Sequence, residues 1–116
     1  MRDCIFCRIA AGETPAVRVL ETPEVLAFLD IAPVNYGHTL VIPKAHLRDV
    51  ADAQPEHGSL LGHLLLTAAQ IARDLGVEDS GYRLVINRGP DAGQSVDHLH
   101  IHLTGGRAMG WPPWAG

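Results

Sequence analysis

The chain has 116 residues, with 9 Lys+Arg against 13 Asp+Glu and a formal net charge of -4 with histidine neutral. That length makes one domain, residues 1–116, large enough to bury a single core. A composition of 47% apolar and 19% charged residues is globular rather than disordered, and a net-acidic chain without a Lys/Arg cluster argues against nucleic acid or an anionic membrane as partner.

Val17–Glu21 and Val25–Asp30 read as two short strands around a Thr22-Pro23-Glu24 turn. Thr39–Pro43 is a third, closed by Pro43, which has no N–H for a ladder. A short helical turn is expected after Lys44, through His46 and Val50. Leu61, Leu64, Leu65, Ala68, Ile71, Ala72 and Leu75 then form one apolar stripe at helical spacing. Pro55 and Glu56 suit the first turn of that helix and Gly76 its C-terminal stop. Tyr82–Arg88 and His98–Thr104 complete five strands. Strands, one long helix, then strands again read as α+β with an antiparallel sheet, the stripe covering one face. No run approaches the roughly 18 apolar residues of a membrane span. Arg2, Asp3, Arg8 and Glu13 interrupt any signal-like segment. Cys4 and Cys7 are too close in sequence for a disulfide to constrain much, so a cytoplasmic protein is expected.

The chemistry concentrates near the C-terminus. His98, His100 and His102 alternate with Leu99, Ile101 and Leu103, which in a strand puts imidazole on one face and aliphatic side chains on the other. Same-face positions lie about 6.6 Å apart, so two imidazoles can flank a small phosphoryl group. A metal site is the rival reading, because imidazole is a common zinc ligand. The preceding stretch Asn87–Ser95 holds two glycines, a proline and short polar groups. Glycines let backbone N–H groups approach an anion, and Gln94 and Ser95 add side-chain donors, so the loop reads as a phosphate cradle.

His98-Leu99-His100-Ile101-His102-Leu103 resembles the signature of the histidine triad (HIT) family. Asp30-Ile31-Ala32-Pro33, Gly37–Lys44 and His46 are similar to that family's central block, and Gly105–Pro113 to the tail of its nucleotide-binding Hint branch. The resemblance runs from about Cys4 to Pro113. It implies a HIT-like fold that dimerises, and a hydrolase of purine nucleoside phosphoramidates (AMP or GMP derivatives) working through a nucleotidyl-histidine intermediate. His100 matches the nucleophile, His102 the residue at the α-phosphate, and Ser95 a residue near the leaving group. Gly93 and Gln94 match the phosphate loop, Asp30 the ribose carboxylate, Asn87 a further nucleotide contact, and Phe6, Phe28 and Ile31 apolar contacts to the base. His38 is expected in a structural hydrogen bond. No metal is needed for the chemistry on this reading.

Cys4-x-x-Cys7 supplies two soft ligands at knuckle spacing, half of a tetrahedral zinc site. Some bacterial members of the family complete that site with the positions that are His46 and His98 here, which implies structural zinc; two ordinary thiols are the alternative. Thr104 stands where many members have an aliphatic residue and would add a polar group beside the histidines. Trp114 extends the tail. Two other functions stay open: a dinucleoside polyphosphate hydrolase or nucleotidyl transferase using the same His100, and a nucleotide-binding regulatory module with little turnover. A zinc protein whose triad binds metal is a third.

Overall fold

The computed structural model describes residues 3–31 and 37–113. The Ala32-Pro33 part of the family-like block and Trp114 lie outside the described residues. Five strands form one antiparallel sheet: β1 (Arg18–Glu21), β2 (Val25–Leu29), β3 (Thr39–Pro43), β4 (Tyr82–Ile86) and β5 (Ile101–Gly105), in the order β1-β2-β3-β5-β4. The first three make a meander. The chain then crosses one face as a long helix and returns with β4 at the far edge, leaving β5 to pair between β3 and β4.

That helix, α2 (Gly58–Asp74), follows a 3-10 turn at Pro55–His57. Gly62 inside it costs about 1 kcal/mol relative to alanine. Burial of Leu64 and Ile71, at roughly 1.5–3 kcal/mol each, outweighs this, so packing rather than propensity holds the helix. The stripe differs from the expected one at two positions. Leu65 is exposed, and Thr67 is buried beside Leu64, Ala68, Ile71 and Ala72. Leu75 caps the helix, and Gly76 follows at φ +76, the left-handed stop expected for it.

Alternation along the central strands sorts two cores. Val25, Ala27, Val41, Leu99, Ile101 and Leu103 pack under α2, while Leu26, Phe28, Leu40 and Ile42 face the opposite side. That side is covered by a helix absent from the sequence reading, α1 (Ile5–Ala10). Cys4 is its N-cap, its Sγ accepting from Cys7 N–H at 3.3 Å, and Phe6 and Ile9 bury one face into the second core. Two further corrections concern the site. The turn expected across His46 to Val50 is confined to a 3-10 turn at Val50–Asp52. The last strand begins at Ile101, not His98, because the 98–100 backbone bonds elsewhere: Leu99 N–H donates to Leu47 O at 2.7 Å.

Candidate functional site

Although His98 and His100 precede the paired strand, the expected alternation persists. Leu99, Ile101 and Leu103 lie in the α2 core. The three imidazoles line the other face, and Phe6 packs on two of them, its ring centroid 5.9 Å from that of His98 and 5.2 Å from that of His100. The His100 and His102 centroids are 4.9 Å apart.

Backbone carbonyls assign the tautomers of the first two histidines. A carbonyl oxygen only accepts, so the nitrogen facing it carries the hydrogen. His98 Nε2–H donates to Pro43 O at 2.8 Å, leaving Nδ1 with its lone pair. His100 Nδ1–H donates to His98 O at 2.6 Å, leaving Nε2 with its lone pair. The two rings are thus opposite tautomers, two residues apart.

The bare Nδ1 of His98 points into a cluster of soft donors. It lies 3.2 Å from Cys4 Sγ, 3.5 Å from Cys7 Sγ and 3.2 Å from His46 Nδ1, and Cys7 Sγ is 3.3 Å from His46 Nδ1. A tetrahedral zinc with ordinary bond lengths holds its donors roughly 3.3–3.8 Å apart. The observed 3.2–3.5 Å runs from just below that range to its middle. Cys4, Cys7, His46 and His98 therefore fit structural zinc: four protein donors close the coordination, and the Pro43 carbonyl fixes the ligating nitrogen from behind. Among these side chains, burial pushes the Cys7 thiol up, with the Cys4 thiol acting in the same direction, and pushes the His98 imidazole down. Metal binding, which takes the thiolates and neutral imidazoles, reverses the cost of the first and exploits the second.

His102 is held differently. Its Nδ1 is 3.0 Å from His38 Nε2, which is itself 3.7 Å from Asp30 Oδ2. The carboxylate favours a hydrogen on His38 Nε2, so His102 Nδ1 accepts and its own hydrogen sits on Nε2. Burial pushes His102 down to about 4, with His100 and His38 adding in the same direction and Asp30 opposing. The unfolded chain takes up this proton near 6.5 and the folded chain only near 4. Stability from this group is thus present above about 6.5 and is lost as pH falls toward 4. An imidazole NMR titration should place the His102 midpoint near 4; a midpoint at or above about 6 would contradict this environment.

The remaining expected site residues separate into groups. Asn87 lines one open groove with His102, His38, Arg83, Val85 and Thr104. Ser95 lines another, beside Cys4 and His46. Gly89 and Gly93, at φ +87 and +78, bracket the Pro90–Ala92 turn of the intervening loop. Gln94 spends its side chain inside that loop. Its Oε1 accepts from Gly89 N–H at 2.9 Å, and its Nε2 donates to Arg48 O at 2.9 Å and Val96 O at 3.0 Å, so its side chain braces the loop and both Nε2 donors are already engaged. Phe6 and Phe28 sit in the core at 6% and 3% exposure, whereas Ile31 stands 99% exposed. Thr104 Oγ1 donates to Met109 Sδ at 3.5 Å, which turns its hydroxyl toward the tail.

Sequence reasoning left three partners unnamed: the carbonyls of Pro43 and His98, and His102 as the partner in the structural hydrogen bond expected of His38. The first two are invisible at sequence level because any residue supplies a carbonyl. His38, at the mouth of β3, carried a signal only through the resemblance.

The HIT domain profile matches residues 11–109 of this chain. The chain is 49% identical over 111 residues to a 14 kDa zinc-binding protein of Zea mays, covering 94% of this chain and 86% of that one. Among solved structures it is similar to a HIT family hydrolase from Legionella pneumophila, at TM-score 0.93 and 45% identity, covering 95% and 98% of the two chains. It is also similar to a histidine triad nucleotide-binding protein from Candida albicans, at TM-score 0.79 and 34% identity, covering 94% and 82%. Alternating histidines on one sheet face, opposite tautomers set by backbone carbonyls, and a match over nearly the whole length lead to one conclusion: the chain belongs to the HIT domain family.

Proposed function

We propose that this protein is a nucleotide-binding hydrolase that cleaves the P–N bond of purine nucleoside phosphoramidates, AMP-amine or GMP-amine, with His100 as nucleophile. One observation carries the reading. The 2.6 Å bond from His100 Nδ1–H to His98 O leaves Nε2 as a lone-pair nitrogen in an oriented ring. A neutral, fixed imidazole is the form needed to attack phosphorus. Among the described residues no helix is long and apolar enough to cross a membrane, and a cytoplasmic setting suits a soluble phosphoramidate substrate.

His100 Nε2 attacks the α-phosphorus, the P–N bond breaks, and the amine departs with a proton drawn from solvent, which the attacking water of the second step returns. Water then attacks the nucleotidyl-histidine, releasing the nucleoside monophosphate and returning neutral His100. His102, with its hydrogen on Nε2, donates to a non-bridging phosphate oxygen as charge builds there. The backbone at Gly93, in the loop that Gln94 shapes, approaches the phosphate. Ser95 stands toward the leaving group, and Asp30 accepts from the ribose hydroxyls. Asn87 adds a polar contact, while Phe6, Phe28 and Ile31 border the base. His98 serves twice, as zinc ligand through its ring and as support for the nucleophile through its carbonyl. Zinc at Cys4, Cys7, His46 and His98 is structural and takes no part in the bond changes.

The reaction is tested by offering adenosine 5′-phosphoramidate beside a diadenosine polyphosphate. The expected result is a kcat/KM at least about 100-fold higher for the phosphoramidate, equivalent to roughly 3 kcal/mol of transition-state preference. The reverse order would move the protein to polyphosphate hydrolysis. Tight AMP binding with neither substrate turned over would make it a binding module.

We also assign a homodimer. Among the described residues β4 ends the sheet with an unpaired edge, Ile86 is exposed there, and Leu65 and Leu66 are exposed on α2. Edges of this kind are commonly covered by a symmetric copy. Light scattering should give twice the chain mass, and Ile86→Lys should shift the equilibrium to monomer. A monomeric native chain would refute the assignment.

A further inference from the structure

A second cluster of ligating atoms lies apart from the Cys2His2 set. Asp30 Oδ2, His38 Nε2 and His102 Nδ1 all lie within 4.8 Å of one another. Two imidazole nitrogens and one carboxylate oxygen, with no thiol, are the donors of an open divalent transition-metal site. The spacing also fits. With zinc–ligand bonds of about 2.1 Å, nitrogens 3.0 Å apart subtend about 90° at the ion, and the 3.7 Å pair about 120°. The first is an octahedral angle, and the second lies about 10° beyond the tetrahedral one.

Three strand ends hold these donors before any ion arrives. Asp30 directly follows β2, His38 directly precedes β3, and His102 lies in β5 opposite Leu40. Asp30 N–H donates to His38 O at 3.0 Å, so the backbone itself ties the carboxylate to the first imidazole. His38 is buried, whereas the Asp30 side chain keeps 21% of its surface in solvent and leaves room for water ligands.

We propose that Asp30, His38 and His102 form a second, weaker metal site that takes Zn2+ or a similar divalent transition ion and competes there with the nucleotide. The ion replaces the hydrogen between the two imidazoles, and the ring that held it carries it on its other nitrogen. A coordinated Asp30 no longer accepts from a ribose, so excess metal inhibits. The competition rests on the nucleotide placement proposed above; the binding of the ion does not. With one charged donor against the two thiolates of the Cys2His2 set, this site fills second.

The test uses the full chain carrying one equivalent of zinc, titrated with Co2+ by calorimetry and visible absorption. The expected result is one further equivalent, with weak d–d bands and no thiolate charge-transfer band. Its binding should perturb the imidazole NMR signals of His38 and His102 and leave those of His46 and His98 in place. Asp30→Asn should weaken the second equivalent at least about tenfold, and His38→Gln should remove it. Retention of the first zinc in both variants reports that they fold. No second equivalent up to millimolar cobalt, or one unchanged in both variants, overturns the site. Saturating AMP should raise the apparent Kd for cobalt at least about tenfold. Cobalt binding indifferent to bound AMP overturns the competition. Failure of AMP to bind the singly loaded protein would instead count against the nucleotide reading, with the cobalt result standing by itself.

Discussion

Replacing His100 with alanine should lower phosphoramidate turnover at least about 10^4-fold while leaving AMP affinity within about threefold. The asymmetry follows from what the ring does. It is buried to 4% exposure and fixed by one hydrogen bond to His98 O, so its single unspent polar atom is Nε2. Alanine removes the attacking atom and abolishes the covalent intermediate. Binding contacts proposed for Asp30, Asn87 and the Gly93 backbone stay in place. His102→Ala should behave less severely, losing on the order of 10^2–10^3 in kcat, because it removes one donor to the developing phosphate charge and no bond-forming atom. Steady-state rates with calorimetric AMP binding decide the matter. Residual turnover in the His100 variant above about one per cent of native would show that water attacks phosphorus directly and that the nucleophile is wrongly assigned.

Removing the zinc should produce the largest change in stability. The four donors come from the start of α1, the segment after β3 and the approach to β5, so one ion ties the N-terminus to residues more than 90 positions away. Structural zinc in small fingers contributes an apparent 10–16 kcal/mol of folding free energy. Here two cores already hold the sheet, and only part of that range should appear. For a domain of this size each kcal/mol moves Tm by roughly 3–6 °C, so chelation or Cys7→Ser should lower Tm by at least about 10 °C. Catalysis should fall with it, since a released His98 ring loosens the carbonyl that orients His100. Calorimetric scans before and after chelation, with zinc added back, measure both effects. A melting point unchanged within about 2 °C after verified metal loss would refute a stabilising role.

What the sequence revealed about this fold was mostly what local periodicity encodes. The α2 stripe, the three-strand meander and the imidazole–aliphatic alternation at 98–103 depend on neighbours within a few residues, and each is where the pattern placed it. Leu65 dropped out of the stripe because it sits on its margin, where the side chain reaches solvent. The short helix α1 escaped notice for a related reason. Only Phe6 and Ile9 mark its buried face, too few positions for a period to show. The start of β5 was misplaced by a long-range bond, Leu99 N–H to Leu47 O, which no local reading contains. Gln94 was expected to offer donors outward. Its partners, Arg48 O and Gly89 N–H, become visible only once the loop is closed around them. The Cys2His2 set was legible through resemblance, whereas the carbonyls that fix its chemistry were not.

The opposite hydrogen placement on His98 and His100 has a regiochemical consequence. An imidazole can be phosphorylated at either nitrogen, and the two isomers differ in stability and in chromatographic behaviour. His100 has Nδ1 committed to a carbonyl and His98 has Nε2 committed to another. On the proposed reaction, the trapped adduct is a single positional isomer, linked through Nε2 of residue 100. His98, whose unprotonated nitrogen faces sulfur, yields none. On that reaction, neighbouring rings of identical composition are given different reagents: one a metal, the other phosphorus.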